Sequence, residues 1–331
     1  MDTSFDVLNK WDRSLKGNNN SYKFVLAIAL LEFSKNTDLE KTNVISYDYL
    51  INIFVEFYWN HLNRYKLNHS ISHEKKPLLN KIFLDLDIDE NLRSSLYSIS
   101  YRKLKKDHKE VVQQLLSNKK IIISILGNPI SRFNFDNKGS DHKAGKGYFY
   151  EWNRKKEIII LNKDAFLTIK KENKIFTKIV QLGLASFLEK YNVQPNLIDK
   201  SKFNIKRPPF SKFINDLFKE ETQLLGRYTC FYCETKLEKY DKDHFIPWEY
   251  VLEHKIWNLV AACRECNSEK STNLPSKKSI KKLEDRNKEI FSNLKFKIHN
   301  DFDSLESLIS KIDDLHTNAS KAGYLPWNKY L

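Results

Sequence analysis

Four cysteines in the C-terminal half of the chain have the spacing of metal ligands. They form two Cys-x-x-Cys pairs, Cys230 with Cys233 and Cys263 with Cys266, and the chain contains no other cysteine. Two such pairs can supply four thiolates to one tetrahedral Zn²⁺. A secreted disulfide scaffold would be shorter and richer in cysteine. The pattern therefore predicts a structural zinc site in a protein of a reducing compartment.

Polar residues suited to phosphodiester hydrolysis lie between and beside these pairs. The intervening stretch exceeds the roughly 15–20 residues of a common zinc ribbon and contains Asp243, His244 and Asn258, while Asn267 follows the last cysteine. Histidine can deprotonate water near neutral pH, and carboxylate and amide oxygens suit a hard cation such as Mg²⁺. His244 is therefore a candidate base, and Asp243 and Asn267 offer a carboxylate and an amide oxygen to a divalent cation, although each of these residues taken singly is more often structural. Asn258 would orient the His244 segment through hydrogen bonds.

The order of these residues resembles the HNH nucleases. Along residues 230–270 the chain has Cys-x-x-Cys, Asp-His-x-x-Pro, Trp-Asn-Leu-Val and Cys-x-x-Cys-Asn-x-x-Lys. The resemblance implies a ββα-metal fold with a four-cysteine zinc, and an activity that hydrolyses DNA. It also implies that His244 is the general base and that Asp243 and Asn267 hold one catalytic Mg²⁺ or Mn²⁺. Asn258 would be the middle asparagine, which orients the active-site loop.

Some residues within the motif stretch, and the rest of the chain, match the family less closely. Asn267 stands where the family name expects a histidine, although its amide oxygen still suits Mg²⁺. His254 falls on no family position, so we expect it at the surface, and Asp241 could assist the metal. The helical remainder resembles, more loosely, bacterial HNH proteins of restriction or anti-phage defence.

The charge balance of the chain points to a polyanionic partner. The formal net charge is +14, and the surplus is concentrated in residues 101–120, 197–213 and 276–288. The longest apolar run, 24–31, is far shorter than the roughly 20 residues of a membrane span. Nucleic acid is favoured over an anionic membrane surface because no amphipathic anchor or lipidation motif is evident in the sequence. The residues that we expect to contact DNA are Lys103, Lys105, Lys106, Lys206, Arg207, Lys270, Lys277 and Lys278.

Hydrophobic periodicity predicts an α+β chain that is mostly helical. We expect a helical domain at 1–118, a mixed α/β continuation at 119–215 that ends in a basic, proline-broken linker, an HNH module at 216–276 and a helical tail at 277–331. The spacing of apolar residues also predicts one long helix at 89–117 and helical structure at 164–191. Short apolar runs at 121–126, 148–150 and 158–161 predict strands, and a turn joins the last two into a hairpin.

Three functions remain open at this point. The first is a metal-dependent DNA endonuclease, and the second is a zinc-stapled nucleic-acid-binding protein without catalysis. The third is an HNH nuclease that acts on RNA or only within a partner complex. A binding protein has no need for Asp243, His244, Asn258 and Asn267 together, so the first is favoured. The N-terminus lacks the basic region of a signal peptide. We expect a cytoplasmic protein with nucleic acid as its partner, and with a homodimer or a defence-system protein as further candidates.

Overall fold

The protein consists of two compact units in a computed structural model that describes residues 2–17, 19–70, 78–134, 145–224, 229–293 and 305–329. Unit 1 comprises Met1–Asn192 and Leu197–Asn204, and unit 2 comprises Val193–Asn196 and Ile205–Leu331. Both units combine helices with small sheets, which confirms the α+β class. Within the described ranges, every helix is too short or too polar to cross a lipid bilayer.

Unit 1 is built mainly from helices around α2, in which residues 24–31 are all buried. A helix that is apolar on all sides has to lie in the interior. The strands β1 (Val44–Ser46), β2 (Tyr150–Asn153) and β3 (Ile158–Leu161) form an antiparallel sheet in the order β1-β3-β2. The helices are α1 (Ser4–Ser14), α2 (Tyr22–Asn36), α3 (Tyr47–Tyr58) continued by a π-helix (Trp59–Arg64), α4 (Leu78–Leu84), α5 (Glu90–Ser98), α6 (Tyr101–Asp107), α7 (Lys109–Ser117), α8 (Lys119–Phe133), α9 (Lys163–Lys171), α10 (Asn173–Glu189) and α11 (Leu197–Lys200).

The strand predicted at 121–126 is wrong, because these residues belong to helix α8. Ile122, Ile125 and Leu126 are buried while Ile121 is exposed, which is the spacing of one helix face. A short apolar run of this kind fits a buried strand and a buried helix equally well. The predicted hairpin and the strand at 158–161 are confirmed, but the first strand lies at Tyr150–Asn153 rather than at 148–150, and β2 pairs with β3 from Tyr150 opposite Leu161 to Asn153 opposite Ile158.

The single helix predicted at 89–117 is also wrong, because the chain forms α5, α6 and α7 there. Ser100 begins α6, and its hydroxyl accepts a hydrogen bond from the backbone N–H of Lys103. Serine in this position stabilises a helix start and so favours a break in a longer helix. A further break occurs at His108, whose backbone is not helical.

Unit 2 contains an antiparallel hairpin and the short helix that follows it. Strand β4 (Asp241–His244) pairs with β5 (Leu259–Ala262), with Asp241 opposite Ala262 and His244 opposite Leu259. The hairpin and the helix α14 form the ββα arrangement that the resemblance implies. The remaining elements are α12 (Lys212–Leu224), α13 (Trp248–Val251), a 3-10 turn (Ile256–Asn258), α14 (Arg264–Lys270), β6 (Leu274–Pro275), α15 (Lys278–Asn293), α16 (Leu305–Lys321) and β7 (Pro326–Trp327).

The helical tail shares one hydrophobic core with the hairpin. Leu283 of α15 and Ile312 of α16 belong to the same buried cluster as Phe245, Cys230 and Cys266. The ranges 216–276 and 277–331 therefore form one packed unit in the structure, together with residues from 205 onward. The boundary expected at 118 likewise falls inside unit 1.

Candidate active site and metal centre

The four cysteine sulfurs of unit 2 form a site of the size that a zinc ion needs. They lie within 4.8 Å of one another, and the Sγ atoms of Cys233 and Cys263 are 3.9 Å apart. Four thiolates arranged tetrahedrally at the usual Zn–S distance are separated by about 3.8 Å. Within the described ranges, this is the one group of three or more Cys, His, Asp or Glu side chains with such convergence. The cysteines therefore fit a structural zinc.

Local structure brings the two pairs together. In the first pair, the backbone N–H of Glu234 donates to the carbonyl of Cys230, and Glu234 has a positive φ of 62°, so the chain turns tightly around its knuckle. In the second pair, Cys263 begins α14, and its Sγ accepts a hydrogen bond from the N–H of Cys266 at 3.4 Å. The zinc site thus joins the turn before β4 to the junction of β5 and α14.

Strand β4 presents Asp243 and His244 in different directions. Successive side chains of a strand point to opposite faces. Accordingly, Asp243 contacts Lys270 of α14, whereas His244 contacts Arg207 and His254. Both side chains are buried. Two adjacent residues of β4 therefore place a carboxylate and an imidazole on opposite faces of the strand, each with its own set of partners.

The Asp243 carboxylate is held by two donors. The Tyr232 hydroxyl donates to its Oδ2 at 2.5 Å, and the Lys270 ammonium lies 3.0 Å from the same oxygen. Burial, followed by the negative charge of Asp243, raises the pKa of Tyr232 well above its ordinary value, so this phenol stays protonated. Buried charges require such partners.

Lys270 does not reach DNA, so its predicted role in DNA contact is wrong for this structure. Its side chain is 0% exposed, and its ammonium donates to the backbone carbonyl of His244 at 2.7 Å in addition to pairing with Asp243. The last turn of α14 packs on the hairpin and carries Lys270 inward. The basic residue was evident in the sequence, but the sequence pattern does not show whether its side chain points to solvent or to the hairpin.

Asn258 ties the chain after His244 to the beginning of β5. Its amide Nδ2 donates to the carbonyl of Ile246 at 2.9 Å, and its Oδ1 accepts from the N–H of Ile246 at 2.8 Å. This double hydrogen bond is fully buried. The geometry suits the orienting role expected for Asn258.

The oxygen donors expected to hold a divalent cation lie on β4 and α14. The amide Nδ2 of Asn267 donates a hydrogen bond to Oδ2 of Asp241 at 3.1 Å. The Asp243 carboxylate forms an ion pair with Lys270 and accepts a hydrogen bond from Tyr232. The donor set is of the all-oxygen type that Mg²⁺ prefers. The carboxylate nevertheless already has a cationic partner, so a divalent cation at Asp243 has to share that carboxylate with Lys270.

His244 is surrounded by donors, acceptors and an aromatic ring. Nη2 of Arg207 lies 2.6 Å from its Nδ1, and Nδ1 of His254 lies 3.0 Å from its Nε2. The ring of Phe210 stacks against it at 6.1 Å between centroids. Nε2 of His254 is 2.8 Å from the carbonyl oxygen of Pro208. His254, which we expected at the surface, is therefore part of the site, and no motif in the sequence indicates this.

His244 is neutral in this environment. Burial lowers its pKa well below the usual value, and electrostatic interactions with Arg207, His254 and Lys270 lower it further. A neutral imidazole has one nitrogen lone pair free to accept a proton or a hydrogen bond. That protonation state is the one a general base requires.

The other basic residues expected to contact DNA lie on the surface of their respective units. Lys103, Lys105 and Lys106 are exposed on α6 of unit 1. In unit 2, Lys206 and Arg207 are exposed before α12, and Lys277 and Lys278 are exposed where α15 begins. Their contact with nucleic acid stays a prediction.

The zinc cluster, the hairpin and the helix α14 can be compared with known proteins. No curated protein and no solved structure matches the chain. Residues 230–273 match the family model described as HNH endonuclease. This stretch contains both cysteine pairs, β4, β5 and α14. This part of unit 2 accordingly matches the HNH family model and contains four cysteines placed closely enough to bind one metal ion.

Proposed function

We propose that the protein is a metal-dependent endonuclease that hydrolyses phosphodiester bonds of DNA. The observation that carries the proposal is the buried His244 on the hairpin, whose Nδ1 accepts a hydrogen bond from Arg207, within the stretch that matches the HNH family model. The net charge of +14 supports a polyanionic substrate. A role in restriction or anti-phage defence belongs to the same proposal, and the loose resemblance of the helical regions supports it.

In the proposed reaction, His244 removes a proton from water and the resulting hydroxide attacks phosphorus. The P–O3′ bond breaks, and the leaving oxygen takes up a proton to become a 3′-hydroxyl, while the phosphate stays on the 5′ end. Asp243 and Asn267 would hold Mg²⁺ or Mn²⁺, which supplies charge neutralisation at the phosphate. Asn258 holds the loop that follows the base.

A plasmid assay distinguishes this function from its alternatives. Supercoiled DNA incubated with the full-length protein and Mg²⁺ should be nicked, and EDTA should prevent the nicking. A binding protein would retard the plasmid without cutting it. Parallel reactions with single-stranded and duplex DNA and RNA identify the substrate class, and preferential cleavage of RNA would overturn the assignment to DNA.

The basic segments lead to a prediction about salt dependence. We expect the triple variant Lys103→Gln, Lys105→Gln and Lys106→Gln to bind duplex DNA more weakly and with a flatter dependence on salt. Each lost phosphate contact should reduce the slope of log K against log[salt] by about 0.9. The matched control replaces the exposed lysines 171, 174 and 178 of unit 1 with glutamine. Equal slopes in the two triple variants would contradict a DNA-contacting role for α6.

The Lys270–Asp243 pair provides a test of the divalent-cation site. Lys270→Met leaves the buried Asp243 carboxylate without its ammonium, which typically costs about 3–5 kcal/mol of stability. If Asp243 is a cation ligand, added Mg²⁺ should raise the melting temperature of this variant more than that of the unsubstituted protein. The double variant Lys270→Met, Asp243→Asn is the control. The same Mg²⁺ response in both variants would contradict the ligand role of Asp243.

A further inference from the structure

Residues 207–210, which we name the cap segment, cover the proposed general base. Arg207 is hydrogen-bonded to His244, and the ring of Phe210 stacks on the His244 ring. The carbonyl of Pro208 is hydrogen-bonded to His254, which in turn is hydrogen-bonded to His244. As a result His244 is only 2% exposed. The whole arrangement lies within unit 2. A water molecule cannot approach the base while the cap segment keeps this position.

The direction of each hydrogen bond around His244 follows from its donors. A guanidinium group can only donate, so Nδ1 of His244 accepts from Arg207. An imidazole that accepts at Nδ1 carries its proton on Nε2, and His244 donates that proton to Nδ1 of His254. His254 in turn carries its proton on Nε2 and donates to the carbonyl of Pro208. All three hydrogen bonds are therefore satisfied when donation runs in one direction, from Arg207 to His244, from His244 to His254 and from His254 to the carbonyl of Pro208.

This arrangement places the reactive lone pair under Arg207. Nδ1 is the atom of His244 that could take a proton from water, and the Arg207 guanidinium occupies it at 2.6 Å. Arg207 itself is exposed and also lies 5.5 Å from the ring of Trp248. An incoming phosphate can therefore reach the guanidinium from solvent. The guanidinium binds a phosphate more strongly than a neutral imidazole, because the phosphate carries the opposite charge.

We propose that Arg207 is a substrate-displaced cap on the base of the proposed nuclease. Its guanidinium blocks Nδ1 of His244 until a phosphodiester group draws it away, and His254 keeps the lone pair on Nδ1 throughout. When the guanidinium turns to the phosphate, water takes its place beside Nδ1, next to the bound phosphate. His254 is thus a positioning residue, which acts through His244. The displacement of Arg207 by substrate rests on the proposed nuclease function, whereas the covering of Nδ1 by Arg207 does not.

Chemical modification tests the cap without any nuclease activity. Diethyl pyrocarbonate acylates an unprotonated imidazole nitrogen, and mass spectrometry of the His244 peptide follows the reaction in full-length protein with EDTA and without DNA. We expect Arg207→Ala to accelerate modification of His244 at least about tenfold, since a hydrogen bond from a charged donor has to open first. Lys206→Ala is the matched control, because Lys206 is the adjacent exposed cation. Equal rates for Arg207→Ala and the unsubstituted protein would overturn the cap.

Steady-state cleavage tests the transfer of Arg207 to the phosphate. Arg207→Ala should raise KM for DNA, and Arg207→Lys should recover part of the loss because an ammonium still binds phosphate as a point charge. An unchanged KM in Arg207→Ala would contradict displacement by substrate. If the protein does not cleave nucleic acid at all, the proposed function fails, while the modification experiment still decides whether Arg207 caps His244.

A third pair of variants isolates the role of His254. His254→Ala removes the acceptor for the Nε2 proton of His244, so we expect kcat to fall about tenfold or more with KM unchanged. His254→Asn keeps a hydrogen-bond acceptor close to the position of Nδ1 and should recover most of kcat. A purely structural role would lower folded yield and affect both variants alike. Equal loss of kcat in the two variants would therefore overturn the positioning role.

Discussion

Replacing His244 with alanine is expected to lower the rate of DNA cleavage by about 10²–10⁴-fold, since this is the usual contribution of a general base. Duplex binding should change little, because His244 is buried beneath the cap segment and does not face solvent. The measurement is single-turnover nicking of supercoiled plasmid with Mg²⁺. Affinity for the same DNA is measured separately in EDTA, where we expect no cleavage.

The histidine variant needs controls for folding and for the substitution itself. Lys174→Ala, at an exposed position of unit 1 outside the segments expected to contact DNA, should leave cleavage unchanged. The melting temperature of His244→Ala shows whether unit 2 remains folded. A parallel loss of affinity and cleavage in a folded His244→Ala protein would refute the role of general base and would indicate a binding role.

Replacing Cys263 with serine is expected to remove the zinc and to unfold unit 2. Structural zinc sites contribute about 10–16 kcal/mol of apparent binding free energy, which is comparable with the total stability of a typical domain, about 5–15 kcal/mol. Cys230 and Cys266 lie in the same buried cluster as helices α15 and α16. Loss of the metal should therefore release the tail helices together with the hairpin.

Zinc content, limited proteolysis and circular dichroism measure this effect together. Unit 1 contains its own buried helix α2, so its helices should survive and proteolysis should leave a fragment that ends near residue 204. Ser268→Ala, at an exposed position on α14, is the matched control and should retain zinc. A Cys263→Ser protein that contains no zinc and keeps its melting temperature would show that the site does not stabilise the fold.

Several local elements were predictable because short-range patterns specify them. The hairpin β2–β3 follows from two short apolar runs around a polar turn, although the first strand lies a few residues later than its apolar run. The convergence of the four cysteines could be predicted because Cys-x-x-Cys spacing brings the two sulfurs of each pair close together. In contrast, a short apolar run such as 121–126 is compatible with both a strand and a helix, and only its packing in unit 1 decides for α8.

The candidate site shows the same division between local and long-range determinants. Residue type and near-neighbour spacing were enough to identify the four cysteines that converge on one site and to nominate Asp243, His244, Asn258 and Asn267 as candidates. The packing of distant segments, in contrast, buries Lys270 against Asp243, whereas Arg207 stays exposed and contacts His244 across 37 residues of chain. The same holds for His254. The reason is that hydrogen bonds between segments distant in sequence depend on how those segments pack, and neither composition nor periodicity contains that information.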